Sequence, residues 1–156
     1  MAFPNAIKSK RTNYFKELNP HREQLFEALE EVLNRTGGWE EVFEVRGDAL
    51  EQALRLNRGF RDSTTMPARD LYAGIMYQAI DYKTLGKKEK ALFDKQTLIF
   101  SGLFGLVKPT DRIPPYKLKM SSNLGGVVGK VANYWRTPVS EDLRKELRGK
   151  VVWNFL

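Results

Sequence analysis

Between Ser101 and Met120 the chain reads SGLFGLVKPTDRIPPYKLKM, and neither a helix nor a central strand can run through the whole of it. Pro109, Pro114 and Pro115 fix φ and withhold their backbone N–H groups, while Gly102 and Gly105 permit close backbone approach or positive φ. What remains is a shaped loop. Lys108, Arg112, Lys117 and Lys119 project from it, opposed only by Asp111, and Tyr116 lies between the two pairs of cations. Anions are the natural partners of such a stretch.

The remainder reads as scaffold. With 156 residues, 42% hydrophobic and 29% charged, the chain is long enough for one domain with a real core, spanning 1–156. Asn19-Pro20 opens a helix, Asn as N-cap and Pro at the first helical position, whose apolar stripe Leu25, Phe26, Leu29, Val32, Leu33 stops at Gly37-Gly38. Asp48 with Glu51 gives a capping-box-like start to a second helix, ended by Gly59; Trp39 to Val45 leans to helix and Arg61 to Pro67 reads as a loop. Ala68 to Ala73 is expected as a strand turning at Gly74, Met76 to Ile80 and Lys87 to Lys95 as helices, and Gln96 to Phe100 as a buried strand. Val127 to Arg136 reads as helical, Thr137-Pro138 as the cap of a last helix to Leu147, and Lys150 to Phe155 as a strand. Helices and strands alternate irregularly, without the spacing of repeated βαβ units, so the expected fold class is α+β, a single mixed domain.

Charge is distributed unevenly. The formal net charge is +7 and the pI about 9.6. Residues 96 to 139 carry six cations (Lys108, Arg112, Lys117, Lys119, Lys130, Arg136) against Asp111 alone, and Lys8, Lys10, Arg11 and Lys16 precede the first acid, Glu17. Residues 17 to 62 instead hold eleven acids against six Arg. An acidic scaffold face and a basic working face follow, the pattern expected where phosphate contacts supply affinity.

Several chemistries are excluded by what is missing. There is no Walker loop, no GxGxxG after a strand, no HExxH and no GxSxG. Zero Cys removes disulfides, thiolate nucleophiles and thiol-based peroxide sensing, and agrees with a reducing, cytoplasmic compartment. One His, His21 at a helix start, argues against a His-rich metal site or a His-dependent triad; no metal or cofactor is expected. No apolar run reaches the roughly 18 residues of a membrane span, so no membrane partner is expected.

Three constellations are left as candidates. Ser101 and Asp111 alone in the loop carry catalytic side-chain chemistry, although an Asp beside cations is ordinarily ionised and braces an Arg or caps a turn, and Ser101 beside Gly102 fits a turn hydroxyl. In Asn123-Leu124-Gly125-Gly126-Val127-Val128-Gly129-Lys130, Gly126 and Gly129 fit either the hairpin of a helix-hairpin-helix or an ordinary Gly-rich helix start; the usual glycine pair encloses one apolar residue and this one encloses two. Tyr116 either stacks on an exposed base or serves the loop, whereas Trp135, at helical spacing from Val131, Val128 and Val127, reads as core. Tyr72 and Tyr77 are expected to support the loop from the neighbouring strand.

The run Ser101-Gly102-Leu103-Phe104-Gly105-Leu106, then Pro109, Asp111, Ile113 and Pro114, then Tyr116-Lys117-Leu118-Lys119-Met120, resembles the signature of the YaaA family of bacterial peroxide stress proteins, which usually reads like SGLYGLLRPLD followed by PYRLEM. The resemblance extends to Leu71-Tyr72-Ala73-Gly74 with Tyr77 and to Asn133-Tyr134-Trp135, covering residues 66 to 156; Pro4 and Lys8 have the spacing of the family's PSxxK-like start. It implies a DNA-binding protein of the oxidative-stress response with a basic cleft and a helix-hairpin-helix-like element. Duplex or branched DNA would then be held by Lys108, Arg112, Tyr116, Lys117, Lys119, Gly126, Gly129, Lys130 and Arg136, with Tyr72, Gly74, Gly102, Gly105, Pro109 and Pro114 shaping the signature. It also implies a further C-terminal α/β portion after Val151–Leu156, so this is a fragment, a short form, or a chain whose missing part a partner chain supplies. Binding rather than turnover is the expectation. The alternatives are a DNA-processing or nucleotide-modifying enzyme using Asp111 and Ser101, and an iron-handling partner, which the lack of Cys and His clusters disfavours.

Overall fold

The computed structural model describes residues 14–155; the family-like start at Pro4 and Lys8, and the cations Lys10 and Arg11, lie outside them. A short 3-10 turn, Lys16–Leu18, leads into helix α1, Asn19–Leu33, which buries Leu25, Phe26, Leu29, Val32 and Leu33 as the stripe predicts. Arg22 is buried on the same stripe. Asn19 is not the cap: Leu18 holds that position, Asn19 is already helical, and its Oδ1 accepts from Arg22 Nη1 at 2.8 Å. Helix α2, Trp39–Phe43, and helix α3, Asp48–Arg58, follow. The expected capping box at Asp48 is absent, because Gly47 at φ 55 occupies the cap and its carbonyl already takes Glu51 N–H at 3.1 Å. Helix α3 packs on α1, and the Phe26 ring meets Phe60 edge-on at 5.1 Å and Phe104 at 5.3 Å.

Strand β1, Met66–Pro67, is followed at once by helix α4, Ala68–Leu71, where the sequence suggests a strand. Tertiary bonds decide the matter. Ala68 N–H donates to Asp111 O at 2.8 Å and Arg69 N–H to Pro109 O at 3.1 Å, so loop carbonyls satisfy the first donors of a helix whose Ala, Arg and Leu favour that state. Helices α5, Ile75–Ile80, and α6, Lys87–Gln96, lie where expected. Strands β2, Ile99–Ser101, and β3, Gly105–Val107, form a hairpin in the register Ile99↔Val107 and Ser101↔Gly105, and β4, Arg112–Ile113, pairs antiparallel with β1.

Helix α7, Val131–Glu146, is one helix rather than two, and it starts four residues later than Val127. Pro138 lies inside it and forgoes the bond that an N–H there would make to the Tyr134 carbonyl; the helix persists because Val131, Trp135 and Val139 bury one continuous face across that point. The expected strand at Lys150 to Phe155 is not formed. No strand among the described residues pairs with it, and Val151, Trp153 and Phe155 are exposed. The result is a mixed α+β fold of helices around two short antiparallel pairs. Among the described residues no helix is long and apolar enough to cross a membrane.

Candidate functional site

The β2–β3 hairpin is built on its two glycines. A Cβ on Gly102 would run into the Leu118 carbonyl, so the chain from Tyr116 to Lys119 can lie directly against the turn only because no side chain intervenes. Gly105 has φ 75 and faces the Trp135 ring, whose Nε1–H donates to Gly102 O at 2.9 Å. The hairpin therefore has a three-residue loop closed by a left-handed glycine. Ser101, fully buried, accepts from Phe104 N–H at 3.0 Å, and its hydroxyl is hydrogen-bonded to Tyr116 OH at 2.7 Å, either oxygen being able to donate. Tyr116 OH in turn meets Tyr72 OH at 2.8 Å, and the Tyr72 ring stacks on Tyr77. Burial pushes both the Tyr72 and Tyr116 phenols upward, so this hydroxyl chain is neutral at ordinary pH.

Behind the hairpin lies a buried charge cluster. Asp111 Oδ2 accepts from Lys108 N–H at 2.8 Å and Oδ1 from Tyr14 N–H at 3.0 Å, which closes the Lys108–Asp111 turn and ties the start of the described chain to it. Burial raises the Asp111 carboxyl, and those two donors only partly offset it. Lys108 is buried, 3.2 Å from Glu146 Oε1 on α7 and 4.9 Å over the Tyr14 ring. Burial pushes Glu146 up, but Lys108 and Lys150 outweigh it and hold it below its ordinary value. A depressed acid stabilises the fold above the unfolded value, and that contribution is lost as pH falls through the folded one. We therefore expect Glu146→Gln to cost about 2–3 kcal/mol, less than the ~3–5 of a fully buried pair, since Glu146 keeps 22% of its side chain exposed. The gap from wild type, measured by urea unfolding, should be full above about pH 5 and close below it.

The remaining cations are spread over two clefts, the end of a glycine turn and α7. Lys117 and Lys119 line an open cleft of about 380 Å³ whose walls include Tyr72, Tyr116, Leu71 and Gln52. Lys119 reaches Glu44 at 3.1 Å; hydrogen bonds from Ser121 and Lys119, with the charges of Lys119 and Lys130, hold Glu44 low. Lys130 ends the glycine turn, in which Gly125, Gly126 and Gly129 have φ 72, 54 and 57, closed by Leu124 N–H to Gly129 O at 3.0 Å. A helix-hairpin-helix needs a helix on each side; here the preceding residues after β4 are irregular and only α7 follows. The first donors of α7 are also occupied, Val131 N–H by Ser122 O and Ala132 N–H by Met120 O, both at 2.9 Å. Arg136 is exposed on α7 and touches Asn133. Arg112 lines a second cleft and donates to the Thr65 carbonyl. Neither Ser101 nor Asp111 lines either cleft, and among the described residues no group of His, Asp and Glu is placed to hold a metal ion.

Three residues that sequence reasoning passed over position this surface. Arg22 donates Nε–H to Phe104 O and Nη2–H to Leu106 O, both at 2.9 Å, and so clamps the hairpin onto α1. Buried Asn57 pairs with the Lys117 backbone in both directions, Nδ2–H to Lys117 O at 2.7 Å and Lys117 N–H to its Oδ1 at 2.8 Å. Buried Ser122 accepts from Lys119 N–H at 3.3 Å. A polar residue on the apolar stripe of its helix was the available signal for Arg22 and Asn57.

The signature motif thus takes the form of a loop shaped by glycines, braced on a buried arginine and edged by exposed lysines. The family profile described as Peroxide stress protein YaaA matches residues 2–156, and the chain belongs to that family. It is 35% identical over 117 residues to a UPF0246 protein of Streptomyces coelicolor, covering 75% of this chain and 40% of the relative. A Campylobacter jejuni protein described as uncharacterized is 28% identical over 140 residues, 88% of this chain and 55% of that one. A UPF0246 protein of Corynebacterium glutamicum is 37% identical over 109 residues, 67% and 43% of the two chains. The chain thus spans about half the length of these relatives.

Proposed function

We propose that this chain binds nucleic acid, duplex or branched DNA, through its phosphate backbone, and that this binding is its part in the peroxide stress response of its family. The observation that carries the reading is the state of the exposed cations at the Tyr116 cleft, at the end of the glycine turn and on α7. Lys117, Lys130 and Arg136 are exposed and make no ion pair among the described residues, and Lys119 is held only by a partly exposed Glu44. Phosphate can therefore displace water from these groups without breaking buried structure, whereas Lys108 is committed to Glu146. In this reading the glycine turn contributes Lys130 and its exposed tip, not the donors of α7. Ser101 and Asp111 are engaged in holding the loop, which supports a binder over a catalyst.

Affinity for a short B-DNA duplex should fall with salt at a log–log slope of about −3, from roughly 0.9 per neutralised phosphate. Lys117→Ala, Lys130→Ala and Arg136→Ala should each flatten it by about 0.9. Fluorescence anisotropy across a salt series measures this, with the products run on a denaturing gel. A flat salt dependence refutes the reading, and a nick or released base that vanishes in Asp111→Asn replaces it with the DNA-processing alternative.

A further inference from the structure

The second cleft, of about 780 Å³, is not used by the phosphate-backbone reading, and its lining is specific enough to name a ligand class. Tyr72 stands in the wall of both clefts, and its ring stacks on Tyr77 at 5.7 Å and 25°. The Arg69 guanidinium, also in the lining, lies 4.8 Å over the Tyr82 ring and is fixed by Asp94, which takes Arg69 Nη1–H at 3.2 Å and Tyr82 OH at 3.0 Å. Arg69 Nε is buried and has no hydrogen-bond partner among the described residues. Arg112 enters the same cleft from β4, and Asp70 and Asp81 also line it.

Each simpler ligand leaves part of this lining without a use. A lipid or other apolar group would cover the Asp70 and Asp81 carboxylates without replacing their water, which is costly. A bare phosphate would meet the arginines but leave the tyrosines idle. A ligand with a flat aromatic ring, one anionic group and hydroxyl donors uses all three parts of the wall, and the volume falls within the roughly 300–1,000 Å³ of small-molecule sites.

We propose that this cleft binds a nucleoside monophosphate unit, its base against Tyr72 and Tyr77 and its phosphate against Arg69 and Arg112. The unit is either a free nucleotide or one unpaired nucleotide of a bound strand. The inference rests on the nucleic-acid reading above for the biological source of the nucleotide; the chemistry of the cleft stands on its own geometry.

Calorimetry on the intact chain with AMP, adenosine, ribose 5-phosphate and inorganic phosphate tests it without any variant. AMP should bind at least about tenfold more tightly than each of the other three, the size expected for a stacked base over ribose 5-phosphate and inorganic phosphate and for a charge-assisted phosphate contact over adenosine. Tyr77→Ala should weaken AMP about tenfold or more while Tyr77→Phe retains it, and Arg69→Gln should bring AMP close to adenosine. Comparing a fully paired duplex with one carrying a single unpaired nucleotide separates the sources: preference for the unpaired form, with AMP as competitor, identifies the strand, and AMP binding without that preference identifies the free nucleotide. No AMP binding at millimolar concentration, or ribose 5-phosphate binding equally well, overturns the proposal. If the duplex still binds in that case, the backbone reading survives alone; if it does not, both fall.

Discussion

Arg22→Ala should lower the unfolding free energy by at least about 4 kcal/mol, enough to bring a domain of ordinary stability close to unfolding. The guanidinium is 1% exposed and spans three separate pieces of chain: Phe15 O before α1, Asn19 Oδ1 on it, and Phe104 O and Leu106 O on the hairpin. Truncation takes the Arg22 donor from the buried Phe104 and Leu106 carbonyls, each worth about 1–3 kcal/mol, leaves Phe15 O with the Leu18 N–H at 3.3 Å, and opens a cavity where a long side chain stood. Desolvation lowers the Arg22 pKa to about 10, against the pull of Asp111 and Asp142, which shows how much of its hydration the side chain has lost. Arg22→Lys should recover only part of the loss, because an ammonium on a single stem cannot reproduce a planar fork that reaches Phe104 O and Leu106 O together. Urea unfolding followed by circular dichroism measures both variants. A loss below about 1 kcal/mol for Arg22→Ala would mean that water replaces the fork and that the hairpin does not depend on α1.

The same residue shows where reading from sequence stopped. The stripe of α1 was legible from Leu25 onward because apolar side chains repeat at helical spacing, and the mixed α+β class followed from the irregular order of elements. Arg22 lies on that stripe three residues before Leu25, but periodicity alone counts a charged residue as a break in the pattern. Asn57 was hidden for the same reason on α3. The segment Ala68–Leu71 misled because its short apolar and polar mixture suits either state, and the deciding bonds come from Asp111 O and Pro109 O, about forty residues away in sequence. Within the loop, the composition correctly marked Gly102 and Gly105 as places of close approach and left Tyr116 undecided. It gave no sign that Lys108 turns inward to Glu146, since a lysine that faces solvent and one that pairs across the fold look alike in sequence.

Gly105→Ala carries the second large expected effect, about 2–4 kcal/mol, and it can be divided into two causes. The first is backbone: at φ 75 a residue with a Cβ costs about 1 kcal/mol more than glycine. The second is packing, since the added Cβ would stand 2.8 Å from Cε3 and Cζ3 of the Trp135 ring, and such overpacking costs roughly 1–3 kcal/mol. Gly38→Ala isolates the first cause, because Gly38 has φ 80 and nothing within 4 Å of its ideal Cβ position, so it should cost only about 1 kcal/mol. Trp135→Phe isolates the second by removing the six-membered ring atoms that the Cβ would strike, so combining it with Gly105→Ala should cost less than the sum of the two single changes. A coupling of about 1 kcal/mol in that direction is expected from side chains in direct contact. The consequence reaches the candidate site as well. Trp135 Nε1–H holds Gly102 O, and the turn so held positions Ser101 against Tyr116. If the chain binds nucleic acid as proposed, displacing the ring should therefore weaken that binding per folded molecule in Gly105→Ala and leave it unchanged in Gly38→Ala. Equal unfolding costs for the two glycine variants, or full additivity with Trp135→Phe, would show that the ring contact does not shape the signature turn.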